Sequence, residues 1–420
     1  MGWNSWDAYG LTITESQFRD NVNVLAKTLK PFGWQYAVID EGWYMENPAD
    51  LKTPEKVIFE VDANGRFNPV PERFPSALKD GRNQGFRALG DFVHGQGLKF
   101  GIHIVRGIPR EAVKQNLPVA DSHFRAKDVA DMADPCPWDP TTYGVRDNAA
   151  GQAWYDALLA QYAGWGVDFI KVDCISDHPY KPTEIRMLHK AILKTGRPIL
   201  LSLSPGPVSP SLEQELQPYA QMWRISDDFW DYWKNTRHAP RSLYDQFELA
   251  AAWAPYAREG TWPDADMLPL GYLGPQPGDG EARQTRLTQP EQKMMVTLWS
   301  IMRSPLIVGA NLTTLDAWTT SLLTNRDVLN VNQFAHSQRQ VAREGNTVVW
   351  TAEGRNGIRY LAIFNLNDKD KAINRTYAFY NLPSASYHSR ELWTNEDRGR
   401  SEAINITMAP HSSILLELKP

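Results

Sequence analysis

The sequence predicts an α/β protein: a (β/α)8 TIM barrel over residues 1–332, followed by a C-terminal antiparallel β-sandwich-like domain over 333–420. Three observations carry this. Short apolar, strand-like runs alternate with runs of helical period until about residue 332, completing eight repeats. Four of the strand-like runs (Tyr36–Glu41, Lys99–His103, Phe169–Cys174 and Tyr219–Arg224) end in polar or charged side chains. A barrel assembles its active site at those ends. From about residue 335 the pattern changes to short β runs separated by turn-rich pieces, which is the pattern of a separate antiparallel domain.

In chain order, Met1–Trp6 reads as the first strand, and Thr14-Glu-Ser-Gln17 caps a helix whose Phe18, Val22, Leu25 and Leu29 share a face. Pro31-Phe-Gly33 stops it and the strand Tyr36–Asp40 completes a β-α-β unit. Residues 44–82, punctuated by Pro48, Pro54, Pro69, Pro71 and Pro75, form a long loop at the barrel mouth. Helix Gly85–Gly95 leads to strand Leu98–Ile104, then to a proline- and aspartate-rich excursion over 105–143. Helix Ala149–Trp165, strand Val167–Val172, helix Pro182–Leu193 and strand Pro198–Leu203 follow. Ser204–Ser211 is a second mouth loop. The repeats close with strand Met222–Arg224, helix Leu243–Trp253, a seventh strand region at Gly260–Met267, an exposed insertion at 274–287, helix Pro290–Met302 and strand Pro305–Gly309. In the C-terminal domain Asn346–Thr351, Arg359–Phe364 and Ser412–Leu418 are the β runs, read as a cap over barrel helices in preference to a carbohydrate-binding module.

Composition narrows the function. The formal net charge of -5, without a long basic block, argues against a nucleic-acid groove, and no run of apolar residues reaches membrane-spanning length. Sixteen Trp and 16 Tyr suit a chain that lays aromatic faces against sugar rings. There is no dinucleotide fingerprint, phosphate loop or Cys/His grouping of zinc type, so neither cofactor nor metal is expected. Two cysteines, Cys136 and Cys174, permit at most one internal disulfide, and no signal peptide is recognisable. The compartment therefore stays open between the cytoplasm and, for a chain whose leader was removed, secretion or the periplasm. The oligomeric state is not legible.

The chemistry is legible at two strand ends. Lys171 and Asp173, two residues apart, point to the same side of a strand. A neighbouring ammonium favours the ionised carboxylate that a nucleophile needs. Trp223–Asp231 crowds Asp227, Asp228 and Asp231 beside Arg224, an environment that can keep one carboxyl protonated for a leaving oxygen. Two such carboxylates on opposite sides of a sugar are the equipment of a retaining glycosidase.

Taken together, Met1-Gly-Trp-Asn-Ser-Trp6, Asp40-Glu-Gly-Trp43, Lys171-Val-Asp173, Trp223-Arg224, Asp264-Ala-Asp-Met267, Leu298–Met302 and Val328–Gln333 resemble glycoside hydrolase family 27, the α-galactosidase and α-N-acetylgalactosaminidase family, over essentially the whole chain. The resemblance implies a cofactor-free barrel enzyme acting on a carbohydrate with a terminal galactose-like sugar. Asp173 would be the nucleophile and Asp228 the acid/base, with Asp227 as its rival. Trp6 would be the aromatic wall of the sugar pocket, Asp40 and Glu41 would hold the 4- and 6-hydroxyls, Lys171 the 3- and 4-hydroxyls and Arg224 the 2-hydroxyl. Cys174 matches a cysteine that is disulfide-linked in the family, and Cys136 is its one internal partner.

Two departures bear on substrate. Glu41 stands where typical eukaryotic members have a second Asp, which pushes a carboxylate towards C6 and favours β-L-arabinopyranose, the galactose counterpart without a hydroxymethyl group. Ser204 stands where galactosidases carry a Glu, as in enzymes that accept an acetamido group at C2. The expectation is therefore an α-galactosidase first, a β-L-arabinopyranosidase second and an α-N-acetylgalactosaminidase third. A non-catalytic galactoside-binding protein would not need both Asp173 and Asp228, and a transglycosylase would share every catalytic residue.

Overall fold

A computed structural model describes residues 1–49, 56–234 and 241–420; Pro54 of the expected 44–82 loop lies outside them. The chain divides into two compact units. The first comprises Met1–Arg224, Tyr272–Arg283 and Ile307–Thr314; the second comprises Ile225–Gly271, Gln284–Leu306 and Leu315–Pro420.

The first unit is built on a parallel sheet of strands in the order Met222–Arg224, Leu200–Leu203, Phe169–Asp173, Lys99–Val105, Tyr36–Ile39, Gly2–Asn4, Ile307–Val308. Strand–helix alternation produces the parallel order, because each strand must return through a crossover. Ile170 and Val172 are fully buried, each worth about 1.5–3 kcal/mol. The remaining barrel strand, Trp262–Asp264, belongs to the second unit. The architecture is the expected (β/α)8 class.

Local signals hold at most boundaries. Thr14 and Gln17 form a reciprocal capping box at the start of helix Glu15–Val24, an arrangement worth about 1 kcal/mol. The first strand is shorter than expected, Gly2–Asn4, because a helical turn starts at Trp6. The 105–143 excursion is not structureless. It contains a small antiparallel sheet of Ile108–Pro109, Thr142–Val145 and Ala130–Pro135, and the helices Arg110–Gln115 and Ala126–Val129. The 274–287 insertion is largely exposed, as expected, yet the Gln276 and Gly278 N–H groups donate to the carbonyls of Ala8 and Trp6 at 3.1 Å each.

In the second unit an antiparallel sheet runs in the order His336–Glu344, Thr347–Glu353, Arg359–Asn365, Ser412–Lys419, Tyr387–Glu391, Asp397–Ser401. Lys371–Thr376 and Ala403–Met408 pair separately. Between them lies an apolar core that includes Val349, Leu361, Ile363, Ile373, Tyr377, Ile404 and Leu416, which makes the domain sandwich-like. Three of these strands are the expected runs. The others were not legible because their exposed positions are polar and only a minority of side chains face the core. The sheet covers helix Gln289–Met302, whose Thr297 hydroxyl accepts from Trp393 Nε1 at 3.0 Å and from Ser413 Oγ at 3.2 Å. This is the arrangement of a β-cap. We retain 333 as the proposed start of the domain, where helix Arg326–Phe334 gives way to the strand opening at His336.

Candidate active site

Three adjacent strand ends of the first unit supply its charged centre. In strand Phe169–Asp173, Ile170 and Val172 face the packed interior while Lys171 and Asp173 face the other way. The neighbouring strand sets His103 opposite Lys171. His103 Nε2 lies 3.5 Å from Asp173 Oδ2 and 4.0 Å from Asp40 Oδ1. Asp40, at the end of the third strand, accepts from Lys171 Nζ at 2.9 Å, Asn4 Nδ2 at 2.6 Å and the Glu41 N–H at 2.9 Å. Burial alone would raise the Asp40 pKa, but Lys171, His103 and the Glu41 N–H outweigh it and hold the carboxyl well below the usual carboxylate range.

Asp173 is likewise pushed up by burial and pulled down further by its hydrogen bond to His103, the imidazole's charge, Lys171 and the Cys174 N–H, so it too is lowered. The sequence reading assigned the lowering of Asp173 to Lys171, but His103 contributes more to it, and the Lys171 ammonium is seated on Asp40. Behind the strand, Arg106 is buried. Its N–H donates to the Asp173 carbonyl at 3.1 Å, its Nε to the Cys174 carbonyl at 2.7 Å and its Nη1 to Glu184 at 2.7 Å. Cys174 has φ of +62°, a conformation most L-residues avoid, and it is tied there by a disulfide to Cys136. The bridge inferred from the resemblance is present.

Glu41 is held in an acidic corner. Asp139 is among its neighbours there; it is 4 % exposed and accepts from the Thr141 N–H at 2.7 Å and also from the Thr141 hydroxyl. Burial first, then the charges of Asp139, Asp173 and Asp40, raise the Glu41 pKa well above the carboxylate range. In one corner, then, Glu41 is shifted towards its neutral form while Asp40 and Asp173 are shifted towards their ionised forms. Burial first, then Glu41 and Asp139, also raise the pKa of Tyr44.

Trp6 is half-buried, and the chain at Gly278 passes so close that a Cβ there would lie 2.3 Å from its indole. The glycine permits the indole to pack under the insertion. Ser204 is buried beside the Asp173 strand, its N–H donating to the Val172 carbonyl at 2.9 Å. Arg224 is buried at its strand end. Asp227 and Asp228 belong to the second unit. There, Asp227 Oδ1 accepts the Asp228 N–H at 2.7 Å and Asp227 Oδ2 accepts Arg241 Nε at 3.1 Å, with Arg241 Nη2 3.0 Å away. The next N–H, of Phe229, is taken by Asp266 Oδ2 at 2.8 Å.

The first unit thus brings together Asp40, Glu41, Lys171 and Asp173, with His103, Asn4 and Asp139 as members to which the sequence assigned no role. His103 had a signal, its place at a strand end. Asp139 had none, since it lies among the prolines of an excursion without periodicity. Among the described residues no cluster of three or more His, Cys, Asp or Glu is placed to hold a metal ion, and no helix is long and apolar enough to cross a membrane.

Residues 143–334 match the family model described as alpha galactosidase A, and residues 344–418 the model of the alpha galactosidase C-terminal beta sandwich domain. Alpha-galactosidase A of Cellvibrio japonicus is 25% identical over 441 aligned positions, covering 100% of this chain and 91% of that protein. Among solved structures, a family 27 β-L-arabinopyranosidase from Geobacillus stearothermophilus superposes with a TM-score of 0.94 at 44% identity, covering 100% of this chain and 96% of the other. A variant of that enzyme has been solved with arabinose. A Bacillus halodurans protein, provisionally described as an α-N-acetylgalactosaminidase, gives a TM-score of 0.87 at 40% identity, covering 100% and 97%.

Proposed function

The chain belongs to glycoside hydrolase family 27, and from that premise we propose that it is a retaining exo-glycosidase that releases terminal β-L-arabinopyranose and, more slowly, α-D-galactose. Asp173 attacks the anomeric carbon while Asp228 gives its proton to the glycosidic oxygen. The aglycone leaves and a glycosyl ester forms on Asp173. Asp228, now a base, takes a proton from water, whose oxygen attacks the anomeric carbon and restores the Asp173 carboxylate. A lowered Asp173 pKa suits the nucleophile. Asp228 is preferred to Asp227 because it stands four residues beyond Arg224, the offset of the acid/base in the family resembled.

The observation that carries the substrate reading is Glu41, whose N–H donates to Asp40 Oδ1 at 2.9 Å and whose carboxyl, with Oε1 buried, lies in the same acidic corner as Asp40 and Asp173. In the role proposed for this pair, Asp40 binds the 4-hydroxyl and Glu41 faces C5 of the sugar. One methylene more than Asp occupies the space of a hydroxymethyl group. The 44% identity to an arabinopyranosidase supports the same choice. This reverses the order expected from the sequence. Steric discrimination of this size is worth about 1–3 kcal/mol, so residual galactosidase activity is expected. An acetamido substrate stands third: Ser204 leaves room at C2 but supplies no reason to need a larger group.

The test is kcat/KM on matched p-nitrophenyl β-L-arabinopyranoside, α-D-galactopyranoside and α-N-acetylgalactosaminide, for the wild type and Glu41→Asp. The arabinoside should lead, and the substitution should shift the ratio towards the galactoside by about tenfold. A galactoside preference in the wild type, or a ratio indifferent to Glu41→Asp, sinks the reading.

A further inference from the structure

We propose that Trp138, packed against His178, forms the leaving-group subsite and takes a pyranose ring of the aglycone on its indole face. The inference rests on the glycosidase reading above and adds a second sugar site to it. Trp138 is 44 % exposed, unlike the large tryptophans of the core. It is also pinned on both sides to the charged centre. Two residues before it, Cys136 is bonded to Cys174, the residue after Asp173, with the two Cα atoms 6.1 Å apart. One residue after it, Asp139 is buried, held by the Thr141 N–H and hydroxyl, and its charge acts on Glu41. A chain advances no more than about 3.8 Å per residue, so the Trp138 backbone stays within two residues of both anchors.

The third support comes from the opposite loop. His178, five residues beyond Asp173, lies with its ring centroid 5.2 Å from that of Trp138 at 51°. Its Nδ1 is within 2.6 Å of Asp177 Oδ2, and half of its side chain is exposed. The disulfide leaves from the C-terminal end of the strand, where a barrel's pocket opens. An enzyme that removes a terminal sugar holds that sugar inside and the aglycone at the mouth. An exposed indole is costly in water and becomes useful when a ring's C–H face covers it, while the His178–Asp177 pair offers polar groups to the ring's hydroxyls.

The experiment compares two substrates of each glycone: the glycosyl fluoride, which has no aglycone ring, and the 1→6-linked disaccharide with glucose. For galactose the disaccharide is melibiose; for arabinopyranose it is the β-linked counterpart. Trp138→Ala should lower kcat/KM for the disaccharide about tenfold more than for the fluoride, a loss of the size expected for uncovering one large apolar face. Trp138→Phe should recover most of the difference, and His178→Ala should show a smaller selective loss. Equal losses on both substrates, in Trp138→Ala and His178→Ala alike, overturn the subsite. If only the galactosyl pair is split, the arabinopyranoside reading fails while melibiose still decides the subsite. A wild type that splits neither fluoride overturns both.

Discussion

Lys171 Nζ stands 2.9 Å from Asp40 Oδ2, a nearly buried ion pair that spans three strands and passes over His103 on the middle one. The pair fixes an ammonium and a carboxylate side by side, a donor and an acceptor for adjacent hydroxyls of one sugar ring. It also ties two barrel strands that share no backbone hydrogen bond.

Removing one partner of such a pair leaves a buried charge uncompensated. Lys171→Met should lose about 3 kcal/mol of unfolding free energy in urea, with kcat/KM falling as well. A variant as stable as the wild type would mean that Asp40 is compensated by Asn4 and the Glu41 N–H alone.

Treatment with a slow 2-fluoro glycosyl substrate should trap an ester on the peptide containing Asp173, read by mass spectrometry. Asp173→Ala should lose at least about a thousandfold in kcat, as expected when the covalent route is removed. A label on another carboxylate would displace Asp173 from its role.

Asp228→Ala should depress glycosides with poor leaving groups far more than activated aryl glycosides, because the latter need little protonation. Asp227→Ala should lack that dependence and act through the loss of the Arg241 contact. The opposite pattern would exchange the two assignments.

The carboxyls of the acidic corner pull stability in opposite directions with pH. Asp40 and Asp173 have lower pKa values folded than unfolded. They stabilise the fold above the ordinary carboxylate value of about 4, and that contribution fades as pH falls through and below it. Glu41 is raised in the fold, so its contribution is full below about pH 4 and is lost as pH rises towards its folded pKa. Glu41→Gln should therefore gain in Tm over the wild type between pH 4 and pH 8 in calorimetry. A difference that does not change with pH would show that Glu41 ionises freely in the fold.

Thiol titration of the denatured, unreduced protein should find no free thiol, since Cys136 and Cys174 are bridged. Reduction should lower stability by about 2–4 kcal/mol. It should also raise KM for disaccharides more than for fluorides, because Trp138 loses one of its anchors. Equal KM changes would separate the bridge from the aglycone side.

The sequence by itself determined the alternation that makes a parallel barrel, the change to antiparallel strands after residue 335, and the family likeness. It also determined that Lys171 and Asp173 share a face, because side-chain direction along one strand follows from a period of two. Each of these is a local property, readable within a few residues or as a repeated period. Only the tertiary structure decided which partner each charge takes. Lys171 settles on Asp40, 131 positions away in sequence, while His103 serves Asp173. Burial raises the Glu41 pKa, and Asp139, from a proline-rich excursion that no periodicity marks, adds its charge to that shift. Such pairings depend on strand order, register and the exclusion of water, and in a buried site these set the strength of every charge interaction. The sequence names the groups, and the packing of distant strands assigns their partners.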